Sequence, residues 1–349
     1  MATDWKYLPI LKWKLGERTA VSKMTTEQWT NIVVLIEPLP IDSAPDPESL
    51  RAALRPYVAK LSKEIARSIP IEKSIAVDTR YVAPGYAHQL RLLMVVCSAL
   101  QAASGRRVLP VLTEAMAAKE AGELARHKNF EEVFLRINIH LIDPSQIQSL
   151  VELTCGAGPK KSLLHLVVDQ ESIVNVEPLA QGAAVTPYLD AALSAGCAST
   201  TLAGGSFPVD LIGIKQGSSD LRRSEWQVWK RLCVLPEYRA LRYSDYTVSN
   251  PAPIPQRDPK MINPSVAIRY AADGFWRVYK AGGFKKGKPN QYRSLCQLLL
   301  LDPIYSGAGF SWGDHCYQMA AAAKLGNGNP SSWRRDATSH HLAWTASGL

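Results

Sequence analysis

The chain has 349 residues, 46% hydrophobic, 20% charged and 8% aromatic, which excludes disordered, collagenous and low-complexity classes. Its formal net charge is +9, and the stretch from Leu241 to Leu349 carries +7 of it, with thirteen basic against six acidic residues. A near-neutral body followed by a basic third suggests an acidic partner such as nucleic acid.

Met1-Ala-Thr-Asp-Trp5 runs straight into a strand-like segment and does not look like a signal peptide. The longest apolar stretch, around Leu92–Ala103, falls short of the roughly 18 residues of a membrane span. Six scattered cysteines with no close pair offer neither a zinc site nor a redox pair. The expectation is a cytoplasmic protein with reduced thiols and no membrane partner.

In chain order, β-rich runs occupy Tyr7–Trp13, Ile32–Glu37, Ile75–Arg80, Val108–Thr113, Val133–Asn138, Leu163–Asp169, Ser199–Gly204 and Leu241–Tyr246. Helical periodicity fills the intervals at Glu48–Ser68, Gln89–Ala103, Thr113–Ala125, Pro144–Leu153, Thr186–Ala195 and Ser218–Cys233. In the first of these Leu50, Leu54, Tyr57, Val58, Leu61 and Ile65 share a face. Eight strands alternating with helices over about 250 residues predict a (β/α)8 barrel, an α/β fold. The rival open doubly wound sheet calls for a G-x-G-x-x-G turn after the first strand, and Lys12-Trp-Lys-Leu-Gly16 is not one.

From Asn250 the pattern changes. Five prolines between Pro251 and Pro264 exclude a helix. Ser265–Tyr270 and Phe275–Lys280 then read as a hairpin across Ala271-Ala-Asp-Gly274, followed by helices at Gln291–Leu301 and from Ser311 to Lys324. The expected organisation is a barrel over residues 1–250, with 251–349 completing it as one continuous unit.

Barrel chemistry gathers at the C-terminal strand ends, and here those ends carry charge. Glu37, Asp78, Asp169 and Asp245 are candidate catalytic carboxylates, and Glu37, Asp78 and Asp245 candidate ligands for magnesium or manganese, hard cations that take oxygen donors. Lys12 (with Lys14 on the same face), Arg80, Arg136, Arg269, Lys285, Lys286 and Arg334 are candidate phosphate binders. His340 and His341 could supply an acid or base; on a strand at most one of them would reach a site. A salt-bridged layer capping the barrel explains any single one of these residues as well, and the set of five charged strand ends less well. No G-x-S-x-G elbow and no G-x-x-x-x-G-K-[ST] loop occurs.

Tyr7-Leu-Pro-Ile-Leu-Lys12-Trp-Lys-Leu-Gly-Glu17, Ile36-Glu37-Pro38, Val77-Asp78-Thr-Arg80, Ser244-Asp245-Tyr246, Ile268-Arg269-Tyr270, Phe310-Ser-Trp-Gly-Asp314 and Trp333-Arg334 before His340-His341 resemble the beta-protein family, named from a T-even bacteriophage. The resemblance spans nearly the whole chain. It implies one continuous unit and a link to phage–host conflict, and it assigns no reaction. Three functions stay open at this point. One is a divalent-metal-dependent enzyme acting on phosphodiesters, nuclease-like. Another is a non-catalytic module binding nucleic acid or a phage or host protein. The third is a binder of a small phosphorylated ligand.

Overall fold

The computed structural model describes residues 5–41, 47–127, 129–253, 263–285 and 290–349. Strands β1 (Tyr7–Leu11), β2 (Val34–Ile36), β3 (Ile75–Val77), β4 (Val108–Thr113), β5 (Val133–Asn138), β6 (Leu164–Ser172) and β7 (Ser199–Gly205) run parallel in that order. The chain next makes β8 (Gly217–Arg222) outside the barrel, and β9 (Arg242–Asp245) closes the ring between β7 and β1. Closure is parallel, with Tyr7 opposite Tyr243 and Pro9 opposite Asp245. This is the expected (β/α)8 barrel.

Helices α1 (Leu15–Val21), α2 (Pro47–Ser68), α3 (Gln89–Ser104), α4 (Glu114–Glu120), α5 (Gln146–Gly156), α6 (Pro178–Ser194) and α7 (Ser224–Cys233) lie between successive barrel strands. Their ends follow local chemistry. Thr113 Oγ1 accepts from the Met116 N–H at the start of α4, and Gly105 ends α3 at φ 62°. Helix α6 starts at Pro178, eight residues before the periodicity suggests, capped by the Glu177 carboxylate. Pro187 obscures that first half, yet it sits on the exposed face, where water can satisfy the carbonyl it leaves free.

Residues 218–222, expected in a helix, are instead strand β8. It pairs antiparallel with the second strand of the hairpin β10 (Ser265–Ala272) and β11 (Phe275–Gly283), giving a sheet of order β10-β11-β8. The excursion between β7 and β9 and the C-terminal third therefore share one sheet. Helices α8 (Gln291–Leu301), α9 (Trp312–Ala321) and α10 (Pro330–Ser347) complete this region. Glycines allow two close crossings. A Cβ on Gly16 would lie 2.7 Å from the Ser331 carbonyl oxygen, and one on Gly313 2.0 Å from that of Asp336. So α10 packs on both α1 and α9.

The barrel strands bury both faces. Leu8, Ile10, Leu35, Ala76, Phe134 and Val167 fill the interior, whereas Tyr7, Leu11, Val34, Leu135 and Tyr243 pack outward against the helices. That alternation decides where each charged strand end points.

Candidate functional site

Continuing the inward set by two residues carries Ile10 to Lys12, Leu35 to Glu37, Ala76 to Asp78, Phe134 to Arg136 and Val167 to Asp169. Lys12 turns to the carbonyls of Pro251 and Ala252, whereas Glu37, Asp78, Arg136 and Asp169 meet inside the C-terminal mouth, with Arg136 as their hub. Its Nη1 donates to Glu37 Oε1 at 2.8 Å and to Asp78 Oδ2 at 2.9 Å, and its Nε donates to Asp169 Oδ2 at 2.8 Å. Its Nη2 lies 2.7 Å from the same Asp169 oxygen and also donates to the Tyr246 hydroxyl, which donates in turn to Asp169 Oδ2 at 2.6 Å. Arg80 reinforces Asp78 through Nε at 2.7 Å and through its backbone N–H to the other carboxylate oxygen at 3.0 Å.

Arg136, a candidate phosphate binder from the sequence, is therefore fully engaged with the protein's own carboxylates and is 1% exposed. The three carboxylates do share one cation, and it is this guanidinium. A divalent ion placed among them would have to occupy the space the guanidinium fills. Among the described residues no group of three or more His, Cys, Asp or Glu is arranged to hold a metal.

The cluster is electrostatically uneven. Burial, with Asp78 beside it, pushes the Glu37 carboxyl up against the pull of Arg136, and Glu37 Oε2 is buried without a partner. At Asp169 burial also acts upward, but Arg136, the Tyr246 hydroxyl and Arg80 outweigh it and hold that carboxyl low.

Asp245 does not join this cluster. It follows the outward Tyr243 by two residues and lies on the far side of the barrel wall, under α10. There it accepts from the Tyr7 hydroxyl at 2.7 Å and the Tyr243 hydroxyl at 2.9 Å. His341 Nε2 stands 2.8 Å away and Arg223 Nη2 3.7 Å. Burial opposes its ionisation, and His341, Arg223 and Tyr7 overcome that, drawing the carboxyl down to about 2. The metal set of Glu37, Asp78 and Asp245 is thus split across the strand.

His340 and His341 lie on helix α10, both fully buried, and both side chains are engaged. His340 Nδ1 pairs with Asp314 Oδ2 at 2.9 Å and its Nε2 with the Ala271 carbonyl at 3.0 Å, while the ring stacks on Tyr270. His341 stacks on Trp276, and burial lowers its pKa. Each clamps α10 to a different partner. Lys285 stands exposed on the turn after β11, and Lys286 lies outside the described residues.

The remaining candidates come together. Lys12 and Lys14 from the end of β1, Arg269 from β10 and Arg334 from α10 line one cleft beside the mouth, with Ser249 and Asn250 from the segment after β9. Among the described residues none of the four cations forms an ion pair. Lys12 Nζ donates to the carbonyls of Pro251 (3.0 Å) and Ala252, Arg269 Nη1 to the Val248 carbonyl (3.2 Å), and Arg334 Nη1 to Ser249 Oγ (2.8 Å). The cations oppose one another. Burial and then Arg334 draw Lys14 down to about 8 and push Arg269 well below its ordinary value. Burial lowers Lys12 and Arg334 as well. Counter-charge reaches Lys12 from Glu37 and Glu17, and Lys14 and Arg334 from Glu17, a buried carboxylate that accepts from Ser249 Oγ (3.0 Å) and the Lys14 N–H (3.2 Å).

Backbone strain gathers at the same end of the barrel. Trp13, Glu171 and Thr247, each just past or at the end of a barrel strand, hold φ between 45° and 52°. For a bulky or β-branched residue this costs about 1–3 kcal/mol, sustained only where the surroundings fix it. Sequence marks Lys14 only as sharing a face with Lys12, and it does not single out Trp13 or Tyr246 as site residues. The i, i+2 relation to Lys12 was the available signal for Lys14. For Tyr246 it was the alternation of β9, whose phase the sequence Tyr243-Ser-Asp-Tyr246 leaves open because both ends are tyrosine.

A family model described as Beta protein matches residues 7–346. No curated protein matches the chain. A solved structure titled "PhdJ bound to substrate intermediate" is 11% identical, with a TM-score of 0.34 over 70% of this chain and 67% of that one.

Proposed function

Since the chain belongs to the Beta protein family along nearly its whole length, we propose from its own geometry that it binds a small phosphorylated ligand in the cleft beside the barrel mouth. One observation carries this reading: Lys12, Lys14, Arg269 and Arg334 surround a common concavity with no described carboxylate paired to any of them. Burying four cations, and then setting them beside one another, costs free energy, visible in the lowered Lys14 and Arg269, and a bound anion would offset it. Two Arg forks and two ammonium groups suit the oxygens of a phosphate or diphosphate. The cations are half-buried or buried in a recess, which favours a compact anion over a long nucleic-acid backbone lying across an exposed stripe.

The salt-bridged mouth is the support of this site. Arg136 fixes Glu37, Asp78 and Asp169, and through Glu37 the end of β2, which flanks the strand that carries Lys12. A metal-assisted hydrolysis is not part of the proposal, because the carboxylates that would serve it hold a guanidinium or face the other way. We place this binding in phage–host conflict, the setting that the family resemblance implies, testable by whether Arg269→Gln changes plaque formation in a strain carrying the gene.

Calorimetric titration of the full chain with pyrophosphate tests the reading. Saturable binding that Lys14→Gln and Arg269→Gln each weaken about tenfold or more is the expected result. Absence of heat and of competition at millimolar pyrophosphate would overturn it.

A further inference from the structure

The cationic cleft does not end at Lys14. The same side chain also lines a larger cavity of about 490 Å³ on the α2 side, with Trp13, Arg18, Tyr57, Lys60 and Glu64 among the residues around it. On its other side Lys14 borders a third hollow of about 280 Å³ shared with Arg269, Trp333 and Arg334. One ammonium group thus stands at the junction of an anion cleft and a roomy chamber of different chemistry.

That chamber is built for an organic ring. Leu39, Pro40, Ile41 and Leu61 give it apolar walls, and Leu39 is 40% exposed, an apolar surface with nothing described over it. Tyr57 presents a ring held in place, because its hydroxyl donates to the Leu39 carbonyl at 2.7 Å. The charged pair within it, Arg18 and Glu64, is self-neutralising. Trp13 forms the inner wall with a strained backbone and an indole N–H that is buried and without a partner. Pockets of this size with mostly apolar walls and a few placed polar groups are typical of small-molecule sites.

We infer that the ligand is a nucleoside phosphate, its phosphates held by Lys14, Arg269 and Arg334 and its base against Tyr57 and Leu39 in the adjoining chamber. This rests on the phosphate-binding reading and adds the organic half of the ligand to it. A sugar phosphate would fill the cleft alone and leave the apolar walls unused. A base uses both, and ring stacking is worth roughly ten- to a hundredfold in affinity.

The test compares pyrophosphate, ribose 5-phosphate, adenosine and the four common nucleoside diphosphates on the full chain. At least one diphosphate should bind about tenfold or more tightly than pyrophosphate and ribose 5-phosphate. Tyr57→Ala should remove that gain while leaving pyrophosphate affinity in place, and Tyr57→Phe should retain it. Should Tyr57→Ala fold poorly, Leu39→Ala, at an exposed position, should cost the diphosphate about threefold and pyrophosphate nothing. Equal binding of pyrophosphate and every diphosphate would overturn the inference and leave the phosphate site standing. So would a diphosphate preference untouched by Tyr57→Ala and Leu39→Ala. If none of the phosphates binds, the phosphate-binding reading falls as well.

Discussion

Replacing Arg136 with Met removes the one cation shared by three buried carboxylates. Taking one partner from a buried ion pair costs about 3–5 kcal/mol, because the group left behind keeps its desolvation penalty. The structure says how that cost divides. Asp78 keeps Arg80 at 2.7 Å, and Asp169 keeps the Tyr246 hydroxyl at 2.6 Å. Glu37 loses its one side-chain hydrogen-bond partner among the described residues. Glu37 is already pushed upward by burial and takes up a proton most readily, so the loss at pH 7 should sit near the lower end, about 3 kcal/mol. The pH dependence follows in sign. In the variant the folded-state pKa of Glu37 rises further above its unfolded value, so its destabilisation is full above the folded pKa and fades as pH falls toward the unfolded one. Urea unfolding of both proteins at pH 8, 7 and 5 should give a gap in stability that narrows with acid. Adding Glu37→Gln should recover about 1–2 kcal/mol at pH 7. A loss under about 1 kcal/mol at pH 7, or a gap unchanged between pH 8 and 5, would refute the idea that Arg136 is the electrostatic keystone of the mouth.

Other outcomes follow from the same structure. Asp245→Asn leaves Arg223 without its inner carboxylate and should cost about 3 kcal/mol at neutral pH. Since Asp245 is held at about 2, its contribution is full above the unfolded carboxylate value and is lost as pH falls through 2. An unfolding series from pH 5 to 2.5 should show the two proteins converging only at its acid end. Gly313→Ala drives a methyl to 2.0 Å from the Asp336 carbonyl and should cost about 2–3 kcal/mol by calorimetric melting, while Gly122→Ala, with open space around it, should stay within about 1 kcal/mol. Lys14 loses its proton near pH 8, so sulfate, whose own charge is constant in that range, should bind less tightly as pH rises from 7 to 9.5. In Lys14→Gln that decline should be absent.

The barrel was legible because its eight strands are short apolar runs spaced by helices, a pattern that burial on both faces imposes. Strand β8 was not, because Gly-Ser-Ser-Asp-Leu-Arg pairs with one neighbour at a sheet edge and lies largely exposed, so no apolar alternation marks it. The mouth carboxylates and Arg136 were visible as charges ending apolar strands, but that Arg136 is the partner the carboxylates share was not. Arg136 and Asp78 are 58 residues apart in sequence, on strands separated only by β4, and the folded sheet brings them to 2.9 Å. Asp245 shows the limit of reading strand ends as a set, since a shift of one residue in phase sends a side chain through the wall. The cationic cleft lay half in view. Lys12, Arg269 and Arg334 were recognisable as anion binders, and what joins them is the close packing of α10 on α1 at Gly16, which no single segment reveals.

The most direct measurement of the central claim is a crystal structure of the full chain grown with pyrophosphate and without sulfate or phosphate. Electron density for the anion is expected in the cleft, within hydrogen-bonding distance of Lys14, Arg269 and Arg334. Pyrophosphate seated elsewhere, or an open cleft without density for it at a saturating concentration, would contradict it.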